Sequence, residues 1–496
     1  MTALLNRPSP LLAEHPTKRD NRFGAVADGL RRPRAAEAGG WGSLPLAQRL
    51  AWLRRFRAAL VLNAERLIEL MGREVHKPRW EAFAADVLPL LAACRWAERN
   101  AGRILSPRRV RKGAWWSLGQ SHRVERVPLG RVGIIATWNY PVQLLGVQML
   151  HALAAGNTVV VKPSERTPRT QALLLDLARD AGLPEGTIDV LPATREAGAA
   201  MLADEPMDHL VFTGSTAVGR RIAETAARRL LPTTLELSGR DTAFVLADAD
   251  VALAAQAIWN AATMNAGQTC MAPRRALVDA RVYPRFLDAL APLAAGAKVR
   301  RLIDEHAAAA CFDAARDAVD AGGRSLSGVL ETPRGDALVP LAIADCPEDG
   351  PLFRGEHFGP ALAVAPFSTL DHAAHLHRLG AGDQQLAASV FTRSARVPVE
   401  VAGALSCGVV TINDCVVPTA DPCASIGGVD ASGWGVSRGE AGLLAMTRAR
   451  HVAATSRRLR LPVETPIGSV ASRLVRACLW TYGAGRGSPA GTETNT

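Results

Sequence analysis

Lysine is nearly absent from this chain: of 58 basic residues only five are lysines, at positions 18, 77, 112, 162 and 298. Aromatic residues are also scarce, at 5% with three tyrosines. That scarcity speaks against an aromatic-rich RNA-binding strand and against an all-β sandwich. The eight cysteines (94, 270, 311, 346, 407, 415, 423 and 478) form no C-x-x-C pair. They are too dispersed for a disulfide scaffold or a zinc finger, and are expected as reduced thiols in a cytoplasm. His372, His375 and His377 fall on a helical pattern at a spacing poor for zinc, so no metal is expected. The chain has no apolar run of about 18 residues, so no transmembrane helix is expected. Its first twenty residues lack the basic start and continuous apolar stretch of a signal peptide.

What is present is an apolar-rich composition, 48% hydrophobic against 21% charged, with a formal charge of +11. The balance is globular, and the positive charge suits solubility and anionic ligands. With no zinc-finger spacing and no helix-turn-helix context, nucleic acid is not an expected partner. The densest basic stretch, Arg108, Arg109, Arg111 and Lys112, reads as a solvated loop beside Trp115 and Trp116.

At 496 residues, two or more packed units are expected. Residues 1–40 read as a loose leader. Apolar residues three and four apart from Leu44 predict helices through Val75, and a further helix over Trp80–Asn100. Two β-prone runs around Pro128-Leu129-Gly130 predict a hairpin leading into a buried strand. Strand-like runs (NTVVVKP, IDVLP, HLVFTG, TAFVLAD) then alternate with helical ones, the βαβ signature of a doubly wound parallel sheet. A second α/β cycle starts near Leu237. The tail stretch VASRLVRACLW reads as a helix that packs rather than one that lies on a membrane.

Several residues stand out chemically, each with a plainer alternative. In FTGSTAVGRRI, Gly214 and Gly219 would let backbone approach a pyrophosphate at a helix N-terminus, although glycine turns between strand and helix are common. Cys270, in the small, polar and flexible context NAGQTCMAP, is either a nucleophile or an inert thiol. Glu236, at the end of an apolar strand, must be paired, solvated or raised in pKa, the last of which suits a general base. Asn139 before Tyr140-Pro141 is either a turn residue or an amide donor to an oxyanion. Lys162 stands out as a lysine in an arginine-rich chain.

Taken in order, these motifs resemble the aldehyde dehydrogenase superfamily over about residues 44 to 455. PLGRVGIIATWNYP is similar to its oxyanion-asparagine segment, AAGNTVVVKPSE to its cofactor-ribose segment, and FTGSTAVG to its glycine turn. LELSGRD is similar to its base motif, NAGQTCMAP to its nucleophile motif, GEHFGP to its second glutamate motif, and GGVDASGWGVSRGEAGL to its C-terminal signature. The WNYP and GQTCMAP wording leans toward the branch that acts on long-chain or aromatic aldehydes.

The resemblance implies an α/β fold with a Rossmann-like cofactor domain (41–113 and 135–236), a catalytic α/β domain (237–415), a small β oligomerisation extension (114–134 and 450–465) and a tail (466–496). It implies that Cys270 attacks the aldehyde, Asn139 and the Cys270 backbone N–H hold the oxyanion, and Glu236 activates water against the thioester. Lys162, Ser164 and Glu165 would contact the adenosine ribose, and Trp138, Gly214, Ser215 and Gly219 the rest of the cofactor. Glu356 would hold the nicotinamide ribose, with Phe358 near the ring. NAD is the expected cofactor, NADP being admitted; the substrate is a hydrophobic aliphatic or aromatic aldehyde, the partner a second copy in a homodimer. The chain departs from the family at Ser238-Gly239-Arg240, where Gly-Gly-Lys is usual, and at Ser425-Ile426-Gly427-Gly428, where Pro-Phe-Gly-Gly is usual. Two alternatives remain: a CoA-acylating dehydrogenase, which would not need Glu236, and a catalytically impaired scaffold, which Ser238 favours.

Overall fold

The computed structural model describes residues 40–110, 119–355 and 357–455, together with 472, 473, 475, 476, 479 and 480 of the tail. The leader, Arg111, Lys112, Trp115, Trp116, Glu356 and Cys478 lie outside the described residues. The described parts of Met1–Ile104 and Val127–Arg448 form one compact unit, and those of Leu105–Arg126 and Ala449–Thr496 a second, smaller one.

In the larger unit the N-terminal periodic stretch is two helices, α1 (Leu46–Leu62) and α2 (Ala64–Val75), divided at Asn63. A short helical turn, Arg79–Ala82, widens into a π-type turn over Phe83–Val87 and continues as α3 (Leu88–Leu105). Beyond them lies a six-stranded sheet. Its parallel strands are β1 (Arg131–Ile135), β2 (Thr158–Lys162), β3 (Ile188–Val190), β4 (His209–Thr213) and β5 (Thr233–Glu236), in the order 5-4-1-2-3, with Gly433–Trp434 antiparallel on the β5 edge. β-branched residues dominate β1 and β2, where Val132, Ile134, Val159, Val160 and Val161 are fully buried, as strands covered on both faces must be. Helices α4 (Gln143–Ala155), α5 (Pro168–Asp180), α6 (Arg195–Asp204) and α7 (Thr216–Arg228) connect them.

The chain then builds a second sheet of seven strands. Its parallel members are β6 (Asp241–Val245), β7 (Pro273–Asp279), β8 (Leu341–Ala344), β9 (Ala361–Phe367), β10 (Ala387–Phe391) and β11 (Val409–Ile412), in the order 8-9-7-6-10-11, with Arg324–Ser325 antiparallel outside β8. The hairpin expectation divides here. Residues 131–135 are the central strand of the first sheet rather than part of an extension, because their buried side chains need helices on both faces. The chain beyond residue 415 also returns to the first sheet, through Gly433–Trp434 paired with β5.

The smaller unit contains a three-stranded antiparallel arrangement drawn from Arg108–Val110, Gln120–Pro128 and Thr447–Thr455. Within it Glu125 accepts hydrogen bonds from Arg123 and Arg450, both at 2.7 Å, and these bonds hold its carboxyl below the usual range.

Tryptophan pins the helices of the larger unit to one another. Trp41 Nε1 donates to the Leu153 carbonyl of α4 and Trp52 Nε1 to the Ala178 carbonyl of α5, both at 2.8 Å. The two indoles meet edge to face at 5.7 Å, and Trp52 stacks on Phe56 at 5.4 Å. Trp52 is fully buried. Replacing Trp52 by alanine is expected to destabilise the fold by about 3–5 kcal/mol, read as a lower urea midpoint in far-ultraviolet circular dichroism. An unchanged midpoint would show that the indole carries no such load.

Candidate active site

The parallel strands of the first sheet end together: Ile135 pairs with Lys162, and Thr213 with Glu236. Ligands of open α/β sheets bind outside such carboxyl ends, where the strand order reverses, here on either side of β1. A cavity of about 710 Å³ opens there, lined among others by Trp138, Asn139, Gly214, Ser215, Glu236, Ser238, Cys270 and Phe358. Of the residues singled out from sequence, these seven besides Ser238 line this one cavity. Lys162, Ser164, Glu165 and Gly219 stand outside that lining, and Glu356 outside the described residues.

Those outside the lining have definite surroundings. Lys162 is buried and its Nζ reaches Glu165 at 2.6 Å, while Arg195 approaches the other carboxylate oxygen at 3.4 Å. The Ser164 N–H donates to Gln171 Oε1 at 2.7 Å. Gly219 packs α7 against the sheet: a Cβ there would lie 2.4 Å from Leu237. Gly214 and Ser215 form the turn from β4 into α7, the Ser215 hydroxyl capping the Val218 N–H at 3.4 Å. A strand–glycine–helix turn at the mouth of a cavity leaves helix N–H groups for a phosphate. Trp138 and Phe358 meet edge to face at 5.9 Å across the lining. These features fit a dinucleotide.

Asn139 is held from several directions. Its Nδ2 donates to the Gln268 carbonyl at 3.1 Å, and its Oδ1 accepts from the Thr137 hydroxyl at 3.1 Å. Its own carbonyl accepts from Lys77 Nζ at 2.7 Å and from Asn265 Nδ2 at 2.9 Å. Lys77 is in turn paired at 2.5 Å with Asp86, both side chains completely buried. The other Asp86 oxygen accepts the Val142 and Gln143 N–H groups at the start of α4. A carboxylate at a helix N-terminus answers donors that have no partner within the helix.

The segment before Cys270, expected to be flexible, is instead buried and tightly wound. Asn265, Ala266 and Gly267 all have left-handed φ (53°, 54° and 70°). A Cβ on Gly267 would lie 2.3 Å from the Gly359 backbone, so only glycine lets the two loops touch. Fully buried Arg274 ties the same loops, donating to the carbonyls of Gly267 and Thr269 at 2.9 Å and of Gly359 at 3.3 Å. Backbone strain of this kind persists only where its surroundings impose it.

Electrostatically the site is dominated by burial. Burial raises the Glu236 carboxyl, opposed in part by the Ser437 hydroxyl and the Arg438 charge. Asp241 is pushed up to about 8 by burial, against the Ala387 N–H and the charges of Arg274 and Arg275. The Cys270 thiol is pushed up to about 11 by burial, then by Asp241 and Glu236. Gly239 lies between: a Cβ there would be 2.6 Å from Asp241 Oδ1 and 2.9 Å from the Cys270 carbonyl. Ser238, where the family usually has glycine, lines the cavity, and its carbonyl accepts the Ser432 hydroxyl at 2.8 Å.

Sequence reasoning missed Lys77, Asp86, Asn265, Gln268 and the arginines at 274 and 438. A usable signal existed for two of them. Lys77 is as conspicuous a lysine as Lys162, and Arg274-Arg275 interrupts the apolar run of β7.

Residues 26–452 match the model of the aldehyde dehydrogenase family. The chain is 32% identical over 434 residues to a 4,4'-diapolycopene aldehyde oxidase of Methylomonas sp., covering 86% of this chain and 80% of that protein. An NAD+ complex of an aldehyde dehydrogenase from Bacillus cereus superposes with a TM-score of 0.78 at 27% identity, covering 85% of this chain and 87% of that one. An NADP-dependent enzyme of E. coli gives 0.78 at 27%, covering 88% and 90%. The chain therefore belongs to the aldehyde dehydrogenase family. Its reaction is the oxidation of an aldehyde to a carboxylic acid with NAD or NADP.

Lys77→Met would leave Asp86 charged and uncompensated, a change that costs about 3–5 kcal/mol when a buried pair is broken. Guanidinium unfolding should show that loss. A variant as stable as the parent would mean the pair does not hold the Asn139 loop.

Proposed function

We propose that Cys270, Glu236 and Asn139 carry the reaction as nucleophile, general base and oxyanion donor, on a hydrophobic aldehyde. The observation that carries this reading is the convergence of all three, from three separate segments, in the lining of one cavity. The Cys270 sulfur gives up its proton to solvent water and forms a bond to the aldehyde carbon, which leaves Glu236 ionised for the later step. One amide hydrogen of Asn139 is used on Gln268; the second, with the Cys270 backbone N–H, stabilises the oxygen of the adduct. Bound NAD or NADP supplies the hydride acceptor that turns this adduct into a thioester. Glu236 then takes a proton from water as it attacks the thioester carbonyl, and the acid leaves as Cys270 regains its proton.

We assign Trp138, Gly214, Ser215 and Phe358 to the cofactor as wall residues, Gly219 as the close contact that seats α7, and Lys162, Ser164 and Glu165 to the adenosine ribose. Glu356 is assigned to the nicotinamide ribose by its motif. Leu144, Met271, Leu386 and Ile426 give the cavity an apolar side, which supports a hydrophobic aldehyde. The relative named for a diapolycopene aldehyde points the same way. A homodimer is supported by the smaller unit, whose exposed strands leave edge groups for a second copy to pair. A cytoplasmic setting is supported by the dispersed, unpaired cysteines.

Turnover is read as absorbance at 340 nm with NAD or NADP and a panel of aliphatic and aromatic aldehydes. Cys270→Ala should reduce turnover to background, and retained turnover would sink the thioester mechanism. Asn139→Ala should lower kcat by about 10²–10³-fold. Glu236→Gln should release one equivalent of reduced cofactor in a burst and then stall. Because burial raises the Glu236 pKa, the parent's hydrolysis step should speed up as pH rises through that raised value. In Glu236→Gln the same step should be flat with pH; a parental slope there would assign the base elsewhere.

A further inference from the structure

Arg438 sits in a conformation that arginine does not choose. Its φ of 64° and ψ of 168° fall in a region that is essentially glycine-only. The side chain is buried, and Nη1 donates to the Thr419 carbonyl at 2.7 Å. Among the described residues its Nε is sealed from solvent without a partner, and no carboxylate forms an ion pair with it. A strained backbone and a buried, partly satisfied cation are two costs at one residue. What Arg438 does share is the cavity wall, with Cys270 and Glu236.

We propose that Arg438 is a positioning residue for the reaction: its guanidinium is the counter-charge that lets Cys270 and Glu236 carry negative charge in one cavity. The inference rests on the reading of those two residues as nucleophile and base.

The groups around Cys270 make the need plain. Glu236 faces it from the end of β5, Asp241 from the start of β6, and Tyr140 from the Asn139 loop. Arg274 and Arg275 act on the Asp241 carboxyl, Arg274 interacts more weakly with Cys270 as well, and Arg240 lines the same cavity. His151 of α4, near Arg438, is held neutral by burial, its pKa lowered to about 4. Arg438 is the cation whose field reaches Glu236, Cys270 and Tyr140 together. It draws the thiol's pKa back down while burial and the two acids push it up. A thiolate is the reactive form of cysteine, so a cation in reach converts an inert buried thiol into a usable one.

The test reads the thiol itself. Alkylation of Cys270 by iodoacetamide is followed against pH by mass spectrometry of the tryptic peptide 241–274, in which Cys270 is the only cysteine. Arg438→Gly fits the backbone and Arg438→Gln fits the space; either folded neutral variant should move the alkylation midpoint up by about one pH unit, a roughly tenfold slower reaction below it. Arg438→Lys, which keeps the charge, should stay near the parent profile. Melting temperature and cofactor binding report the fold. A neutral variant with the parental midpoint overturns the proposal, as does a lysine variant that behaves like glycine.

One measurement needs no variant. In the parent, anionic iodoacetate should react faster relative to neutral iodoacetamide than it does with the free peptide 241–274. A ratio at or below the peptide's, the result of acids left unopposed, overturns the proposal. Because alkylation reports the Cys270 thiol whichever group performs catalysis, failure here is separate from failure of the nucleophile assignment, which turnover of Cys270→Ala decides.

Discussion

The charge pair between Lys77 and Asp86 is the contact on which the rest of the site hangs. Neither side chain touches solvent, so each ion must recover from its partners what it lost in hydration. Asp86 does so at the N-terminus of α4, and Lys77 does so at the carbonyl of Asn139, with its ammonium also over the Tyr140 ring at 4.1 Å. The pair thereby joins the N-terminal helices to the first connection of the sheet and to the loop that precedes Cys270. Asn139 is held in place by a residue more than sixty positions earlier in the chain, and its orientation is a property of the whole unit.

The wall on the other side is organised by backbone rather than by charge. Three consecutive left-handed residues and the contact of Gly267 with Gly359 bring the Cys270 loop against the segment that carries Phe358. Arg274 locks the arrangement by donating only to carbonyls, and its guanidinium lies 5.4 Å from the Phe358 ring. Buried carbonyls have lone pairs to spare, and a guanidinium is the side chain best shaped to collect several of them. The thiol is thus carried on rigid backbone, in a setting whose low polarity works against its own ionisation.

The alternation of parallel strands with helices and several of the cavity-lining residues were legible in the sequence because both rest on local signals. Period-two and period-3.6 patterns marked β1–β6 and their helices, and the short motifs around Asn139, Glu236 and Cys270 each carried their own chemistry. What remained hidden depends on distant partners. Nothing near Lys77 in the chain announces Asn139, and nothing near Arg438 announces Cys270. NAGQTC looked flexible because small polar residues usually are; its rigidity comes from Arg274 and Gly359, which its own composition does not contain. The return of the chain to the first sheet was hidden for a related reason: Gly433–Trp434 is too short to read as a strand until β5 offers it an edge.

The scarcity of lysine has a chemical side. Aldehydes condense with uncharged primary amines to give imines, whereas a guanidinium stays protonated far above physiological pH and resists that reaction. Of the three lysines described, Lys77 and Lys162 are buried in ion pairs with Asp86 and Glu165, and Lys298 is left at the surface. A protein that meets reactive carbonyls at every turnover therefore presents them with a coat of arginine and very few amines, a composition that spares it covalent damage by its own substrates.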